Sequence, residues 1–284
     1  MTKKIGFVGF GEVGRTFARA MRTTGAVVYY FDTQDKDPEE GIVSLPFQDL
    51  LRKCDVILST VTTHVAEKVA EKATPCLSSE KTYADMNSTS ASVKKRIAQI
   101  IEPSHASFIE GAILSAVGEM GHKASILVSG EKAEEFSKWM NQLGLPNVKY
   151  FSPEIGEASQ VKMIRSVFSK GVECLLLEML TAGKRAGIAD YLWKDIVDFM
   201  TKNSFEKVAE NWIKTHPQAC ERRYHEMVQV VGTLEEMNID PVMTRGTRDF
   251  LERSCRMGLR QRFPTKPECF WDVPSRLEEE LKRA

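Results

Sequence analysis

Residues Lys4–Met21 read KIGFVGFGEVGRTFARAM, with glycines at positions 9, 11 and 14 between an apolar run and an amphipathic one. A GxGxxG spacing serves tight turns as readily as ligands, so its meaning depends on what surrounds it. The run before it is strand-like, the segment after it opens a helix, and VVYYF then forms a second strand running into Asp32. This is a βαβ unit, and it gives each glycine a task. Gly9 permits the tight turn, Gly11 lets the backbone approach a diphosphate, and Gly14 lets helix and strand pack closely. The loop Gly9, Phe10, Gly11, Glu12, Val13 and Gly14 is therefore expected to hold a dinucleotide, with its phosphates at the first helical amides and the positive end of the helix dipole. Asp32 would accept hydrogen bonds from both adenine-ribose hydroxyls and repel a 2′-phosphate. The TQDKD that follows has no arginine and only Lys36 to balance a phosphate, so NAD is expected rather than NADP.

The rest of the chain narrows the classes of partner. Its 284 residues carry 39 basic and 39 acidic side chains, dispersed rather than in blocks, which gives no electrostatic footprint for nucleic acid or an anionic membrane. The opening residues lack a signal-peptide core, and no run approaches the roughly 20 apolar residues of a membrane span. Six cysteines without a CxxC pair fit reduced thiols in a cytoplasm, and five scattered histidines give no zinc spacing, so no metal is expected.

Strand-like and helical runs alternate through the first half: AVVYYFD, SLPFQDLLRKC, DVILSTV, THVAEKVAEKA, KTYADMN, SASVKKRIAQIIE, ASFIEGAIL, KASILVSG, EKAEEFSKWMNQLG and VKYF. This pattern predicts a Rossmann-like, mostly parallel sheet over residues 1–155. Helical periodicity then dominates, beginning with a long helix from Gly156 to about Gly187, so residues 156–284 are expected to form an all-helical substrate and dimerisation domain. The Pro-containing tail from Phe263 is expected to pack loosely over it. Two further strand ends should complete the cofactor cleft. Thr60, Val61, Thr62 and Thr63 end one strand, where the threonine hydroxyls serve either the ligand or a helix cap. Asn87, Ser88 and Thr89 end another, where Asn87 has no obvious capping task.

The strongest candidate for chemistry is PEIGEASQVKMIRSVFSKGVE. On one helix, Ser159, Lys162, Ser166, Ser169 and Glu173 share a stripe less than about a quarter turn wide. Solvated faces favour long side chains, whereas this stripe is mostly serine, which suits close approach to a ligand. Lys162 is the long cationic group near its start, and a desolvated lysine exchanges a proton near neutrality.

Taken in order, GFVGFGEVG, YADMNSTSAS, FIEGAILSAVGEMGHKASILVSG and IGEASQVKMIRS resemble the β-hydroxyacid dehydrogenase family, relatives of 3-hydroxyisobutyrate and 6-phosphogluconate dehydrogenases, over about residues 4 to 260. The segments KMIRSVFSKG and ERRYHEMVQVVGTLEEMNIDP resemble a subgroup with a divergent helical carboxyl-terminal domain. The resemblance implies a Rossmann domain, a long interdomain helix, a nicotinamide cofactor and a catalytic lysine at Lys162. The chain also departs from the family run G-x-x-G-x-G-x-x-x-K-x-x-x-N. Pro153 stands at the first glycine, Ala158 at the third and Ser166 at the asparagine, while Gly156 keeps the second. The substrate loop D-x-x-x-S-G-G reads Glu110 to Ala116, which leaves Ser115 beside the family's serine position.

The expected function is hydride transfer between a nicotinamide and a small, acidic hydroxy compound or related alcohol. Lys162 is the proton-transfer group, and Ser115, Ser166 and Asn87 orient substrate. Arg222, Arg223 and His225 are further candidates for an acidic substrate. Imine reduction on the same scaffold and a non-catalytic dinucleotide sensor are the alternatives. A homodimer packed through the helical half is expected.

Overall fold

The computed structural model describes residues 3–283, and among them the chain forms one eight-stranded sheet followed by helices. The amino-terminal part runs β1 (Lys4–Val8), α1 (Glu12–Thr23), β2 (Val27–Phe31), β3 (Ile42–Ser44), α2 (Phe47–Lys53), β4 (Val56–Ser59), α3 (Ala66–Ala73), β5 (Thr82–Asp85) and α4 (Ala91–Ile101). It continues with β6 (Ser107–Ile113), α5 (Val117–Met120), β7 (Ile126–Ser129), α6 (Ala133–Gln142) and β8 (Val148–Ser152). The strand order is β3-β2-β1-β4-β5-β6-β7-β8. Every neighbouring pair is parallel except β6–β7, which is antiparallel because only the short α5 joins them. The sequence pattern anticipated the Rossmann arrangement but not the three-residue edge strand β3.

The central strands are covered on both faces, which explains their nearly continuous apolar sequences. Along β1, Ile5 and Phe7 point into a layer with Phe17 and Met21 of α1 and Val28 of β2. Val8 points the other way, onto Leu50, Leu51, Ile57, Tyr83 and Ile97. The chain reverses direction across the sheet between β1 and β4, and the carboxyl ends of these strands form the crevice where open α/β sheets take ligands.

The chain divides into two compact units within α7 (Glu157–Ala186), after Val167. The second unit contains the rest of α7 together with α8 (Ala189–Lys202), α9 (Phe205–Glu236), α10 (Val242–Arg256), α11 (Leu259–Arg262) and α12 (Asp272–Arg283). Here α9 is the organising element, with α10, α11 and α12 packed along it. Glu178 of α7 caps α10, accepting from Met243 N (2.8 Å), Thr244 N (2.9 Å) and the Thr244 hydroxyl (2.6 Å). The tail is more ordered than its prolines imply: Val273 of α12 is buried, and Arg276 pairs with Glu279 and Glu280. By contrast, α8 buries none of its residues, although it carries Tyr191, Trp193 and Phe199.

Candidate functional site

The glycine loop joins β1 to α1. Gly9 adopts φ +92°, a left-handed conformation that disfavours any other residue, and its amide donates to Phe31 O at 2.8 Å. A Cβ at Gly14 would lie 2.4 Å from Gly9 O, so that glycine is required by the contact between helix and turn. Gly11 is different. A Cβ there would meet nothing within 4 Å, so its absence leaves open space at the amino-terminal end of α1. This is the cradle that a diphosphate needs, and the loop fits the dinucleotide the sequence predicts. Phe10 contributes backbone only, because its ring is buried and stacked on Tyr30 at 3.9 Å. Glu12 is exposed and Val13 packs against the core.

Asp32 closes the loop from the second strand. Its carboxylate accepts from Phe10 N (2.7 Å) and Gln34 N (2.9 Å), with Lys36 Nζ at 3.7 Å. Each oxygen keeps further acceptor capacity, so Asp32 fixes the turn and still offers acceptors at the strand end. Thr60 has a structural part: its hydroxyl donates to Gly9 O at 2.6 Å and braces the turn. Val61 flanks Gly9, and Thr62 precedes a short 3₁₀ turn without capping it through its side chain.

The β5–α4 turn carries the next group. Asp85, fully buried, accepts from Asn87 N (3.2 Å) and Asn87 Nδ2 (2.7 Å). The same Nδ2 also donates to Ser59 Oγ at 3.0 Å. With both amide protons used, the Asn87 carboxamide is fixed with its oxygen unpartnered. Behind the turn, the buried Lys94 of α4 forms a salt bridge with Asp85 Oδ1 and donates to Asp85 O (2.8 Å) and Gly111 O (3.2 Å).

The start of α7 is set by a second buried carboxylate. Glu110 of β6 accepts from Gly156 N and from Ser159 N (2.5 Å), so its negative charge sits at the positive end of the helix. One turn on, Lys162 Nζ donates to the Ser88 hydroxyl of the β5–α4 turn. Burial lowers the Lys162 amine from 10.5 to about 8, and the charge of Lys94 acts in the same direction. Ser166 lies one turn further, where its hydroxyl donates to Lys162 O at 2.8 Å, leaving it only acceptor capacity. Ser115 accepts from Ser125 N at 3.1 Å and keeps its proton free to donate. Next to it, Leu114 O accepts from Arg165 NH1 at 2.7 Å, which brings a guanidinium to this loop.

Lys162, Ser88 and Asn87 are thus assembled in the amino-terminal unit together with the glycine loop, Asp32 and Thr60. In the second unit Arg222 pairs with Glu226, Arg223 donates to the Thr215 hydroxyl (2.9 Å) and His225 lies against the Tyr224 ring. Sequence reasoning missed Asp85, Lys94 and Arg165, placed Ser88 at the strand end without giving it a task, and read Glu110 only as part of a loop. A signal for two of them exists: an acid ending TYAD and another inside FIEGAIL are ionisable groups in apolar strands, which demand buried partners. Among the described residues no three His, Cys, Asp or Glu gather as a metal site, and no helix is long and apolar enough to cross a membrane.

Known proteins give the same picture. Residues 1–86 match the D-isomer specific 2-hydroxyacid dehydrogenase, NAD binding domain family, and residues 184–254 match the domain of unknown function DUF1932. A conserved protein of unknown function, whose structure reveals similarity with 3-hydroxyacid dehydrogenases, is 32% identical, with 88% of this chain and 96% of that one covered and a TM-score of 0.58. A conserved hypothetical protein from Sinorhizobium meliloti is 30% identical, with 89% and 88% covered and a TM-score of 0.59. An imine reductase from Myxococcus stipitatus shares the fold at 17% identity, with 91% and 95% covered and a TM-score of 0.78 as a variant in complex with NAD+; it is also solved with NADP+. The chain belongs to the 3-hydroxyacid dehydrogenase-like family, with a nicotinamide-binding Rossmann domain and a DUF1932 helical part.

The exposed Gly11 and the buried Gly14 predict opposite outcomes. Gly11→Ala should change unfolding free energy by less than about 1 kcal/mol, since no atom is displaced, yet weaken NADH binding about tenfold or more. Gly14→Ala should cost about 1–3 kcal/mol of stability by pressing on Gly9 O. Denaturant unfolding and a fluorescence titration with NADH read both, and undiminished NADH binding by Gly11→Ala would remove the phosphate from this loop.

Proposed function

We propose that the protein is an NAD-dependent oxidoreductase that interconverts a small, acidic hydroxy compound and its carbonyl form, with Lys162 as the proton-transfer group. The observation carrying this reading is the Lys162 amine itself, lowered to about 8 and hydrogen-bonded to the neutral Ser88 rather than to a carboxylate. A bound nicotinamide supplies the hydride acceptor for oxidation and the hydride donor for reduction. In oxidation, the substrate hydroxyl gives its proton to Lys162 Nζ as the carbon loses hydride; in reduction, Lys162 returns that proton to the carbonyl oxygen. Ser88 orients the amine, and Asn87 belongs to the same turn. The free Ser115 proton and the neighbouring Arg165 guanidinium support an acidic substrate, whereas Ser166, its proton spent on the helix, would serve only as an acceptor.

Reduction of a C=N bond is the second reading. It is supported by the fold shared with imine reductases, whereas the retained lysine argues against it, because imine reduction differs in its electrophile and usually in its proton donor. Turnover of NADH with keto acids but not with cyclic imines separates the two. A sensor without chemistry would turn over neither.

Asp32 is proposed to select NAD. NADH should bind more tightly than NADPH, and Asp32→Ala should narrow the gap; a tenfold wild-type preference for NADPH, about 1.4 kcal/mol, is the contrary result.

A homodimer is proposed from the helical unit, where α8 buries no residue while Tyr191 is 71% exposed. Light scattering at micromolar concentration should give twice the chain mass, and a monomer would reject the dimer.

Lys162→Met keeps the apolar stem and removes the amine, so NADH affinity should hold while turnover falls about a hundred- to ten-thousand-fold. Because the neutral amine is the base, oxidation should rise with pH through about 8 and level off above it, and reduction should fall across the same range. Both limbs should vanish in the variant. Turnover within about threefold of wild type would exclude Lys162 as acid and base.

A further inference from the structure

Lys94 is a fully buried lysine whose three hydrogen bonds all run to acceptors: Asp85 Oδ1, Asp85 O and Gly111 O. It therefore has no capacity left for a ligand. Its carboxylate partner also receives Asn87 N and Asn87 Nδ2, so the residues from Asp85 to Asn87 are wound around one buried charge. The next residue is Ser88, the partner of Lys162. We propose that Lys94 is a positioning residue for this site: its salt bridge with Asp85 shapes the turn that delivers the Ser88 hydroxyl to Lys162, and it holds a fixed positive charge behind the Lys162 amine. The catalytic meaning of this arrangement rests on Lys162 being the proton-transfer group.

The charge that acts on Lys162 is that of Lys94 on α4. Asp85, at the end of β5, is the partner of Lys94, and Glu110 of β6 holds the start of α7. Near that end of the helix, α7 also carries Glu157 and Arg165, and α4 carries Lys95. Glu110 is engaged by the helix amides, and Asp85 by Lys94 and Asn87, so neither carboxylate is hydrogen-bonded to Lys162. A like charge that cannot move away disfavours the second ammonium, an effect that adds to burial. Desolvated lysines beside another cationic group are one established way to obtain a reactive amine near neutral pH.

The test needs no substrate. Competitive acetylation of the full-length protein with acetic anhydride across pH, read at Lys162 by mass spectrometry, gives the midpoint at which the amine becomes reactive. In wild type it should lie near 8. Lys94→Met leaves Asp85 buried without its cation, so the double variant Lys94→Met with Asp85→Asn, which removes both charges, is made beside it. In each variant that keeps a cooperative melt, the midpoint should rise toward the ordinary lysine value of 10.5, by about half a pH unit or more in Lys94→Met and by less in the double variant, which removes both charges of the pair. A folded variant with the wild-type midpoint overturns the proposal. Failure of both variants to fold also overturns it, because Lys94 would then serve the fold alone. Turnover retained by Lys162→Met would remove the catalytic reading while leaving a shifted midpoint intact, so the two failures are distinguishable.

Discussion

Two buried carboxylates stand side by side on adjacent parallel strands, Asp85 of β5 and Glu110 of β6, and the site depends on how each charge is satisfied. Paired residues on neighbouring strands are about 5 Å apart, too close for two bare anions in an apolar layer. Each is instead surrounded by its own donors. Asp85 takes Lys94 and both nitrogens of Asn87, which fixes the turn bearing Ser88. Glu110 takes two amides of the first turn of α7, which fixes the helix bearing Lys162. The hydrogen bond from Lys162 to Ser88 therefore joins two elements that are each held by a separate buried anion.

The Lys162 amine is therefore carried on a helix whose start is anchored in the sheet. Removing one partner of such a cluster would leave a buried charge or amide unsatisfied, at about 1–3 kcal/mol for each neutral donor and more for a charge. The geometry around the amine is therefore stiff, as the proposed proton transfer requires. In the β1–α1 turn, Gly9 and Gly14 make contacts that tolerate no added atom and Thr60 braces the backbone, whereas the space in front of Gly11 is clear.

Much of this was legible from local pattern. The glycine spacing, the strand running into Asp32, the alternation of strands and helices, and the long helix bearing Lys162 are all features of short range, and each lies where the pattern implied. What escaped notice is long range or too short to show a period. The hold of Glu110 on α7 brings residues 46 to 49 positions apart into contact, and the salt bridge of Lys94 with Asp85 joins a helix to the strand end before it, across a turn that has no period of its own. Strand β3 has only three residues, and the reversal between β6 and β7 hides in a loop containing a single helical turn. The tasks of Thr60 and Ser166 were ambiguous because a hydroxyl serves a ligand or a backbone carbonyl equally well, and here both donate to the backbone.

The central claim is that the glycine loop and Lys162 serve the same ligand, one holding its diphosphate and the other facing its reactive end. A crystal structure of the complex with NADH tests it directly. The account predicts the diphosphate over Gly11 at the start of α1 and the nicotinamide ring beside the Ser88 turn, with Lys162 Nζ directed at the space next to its reactive carbon. A dinucleotide bound with its nicotinamide directed away from Lys162, or with its diphosphate elsewhere than over Gly11, would contradict it.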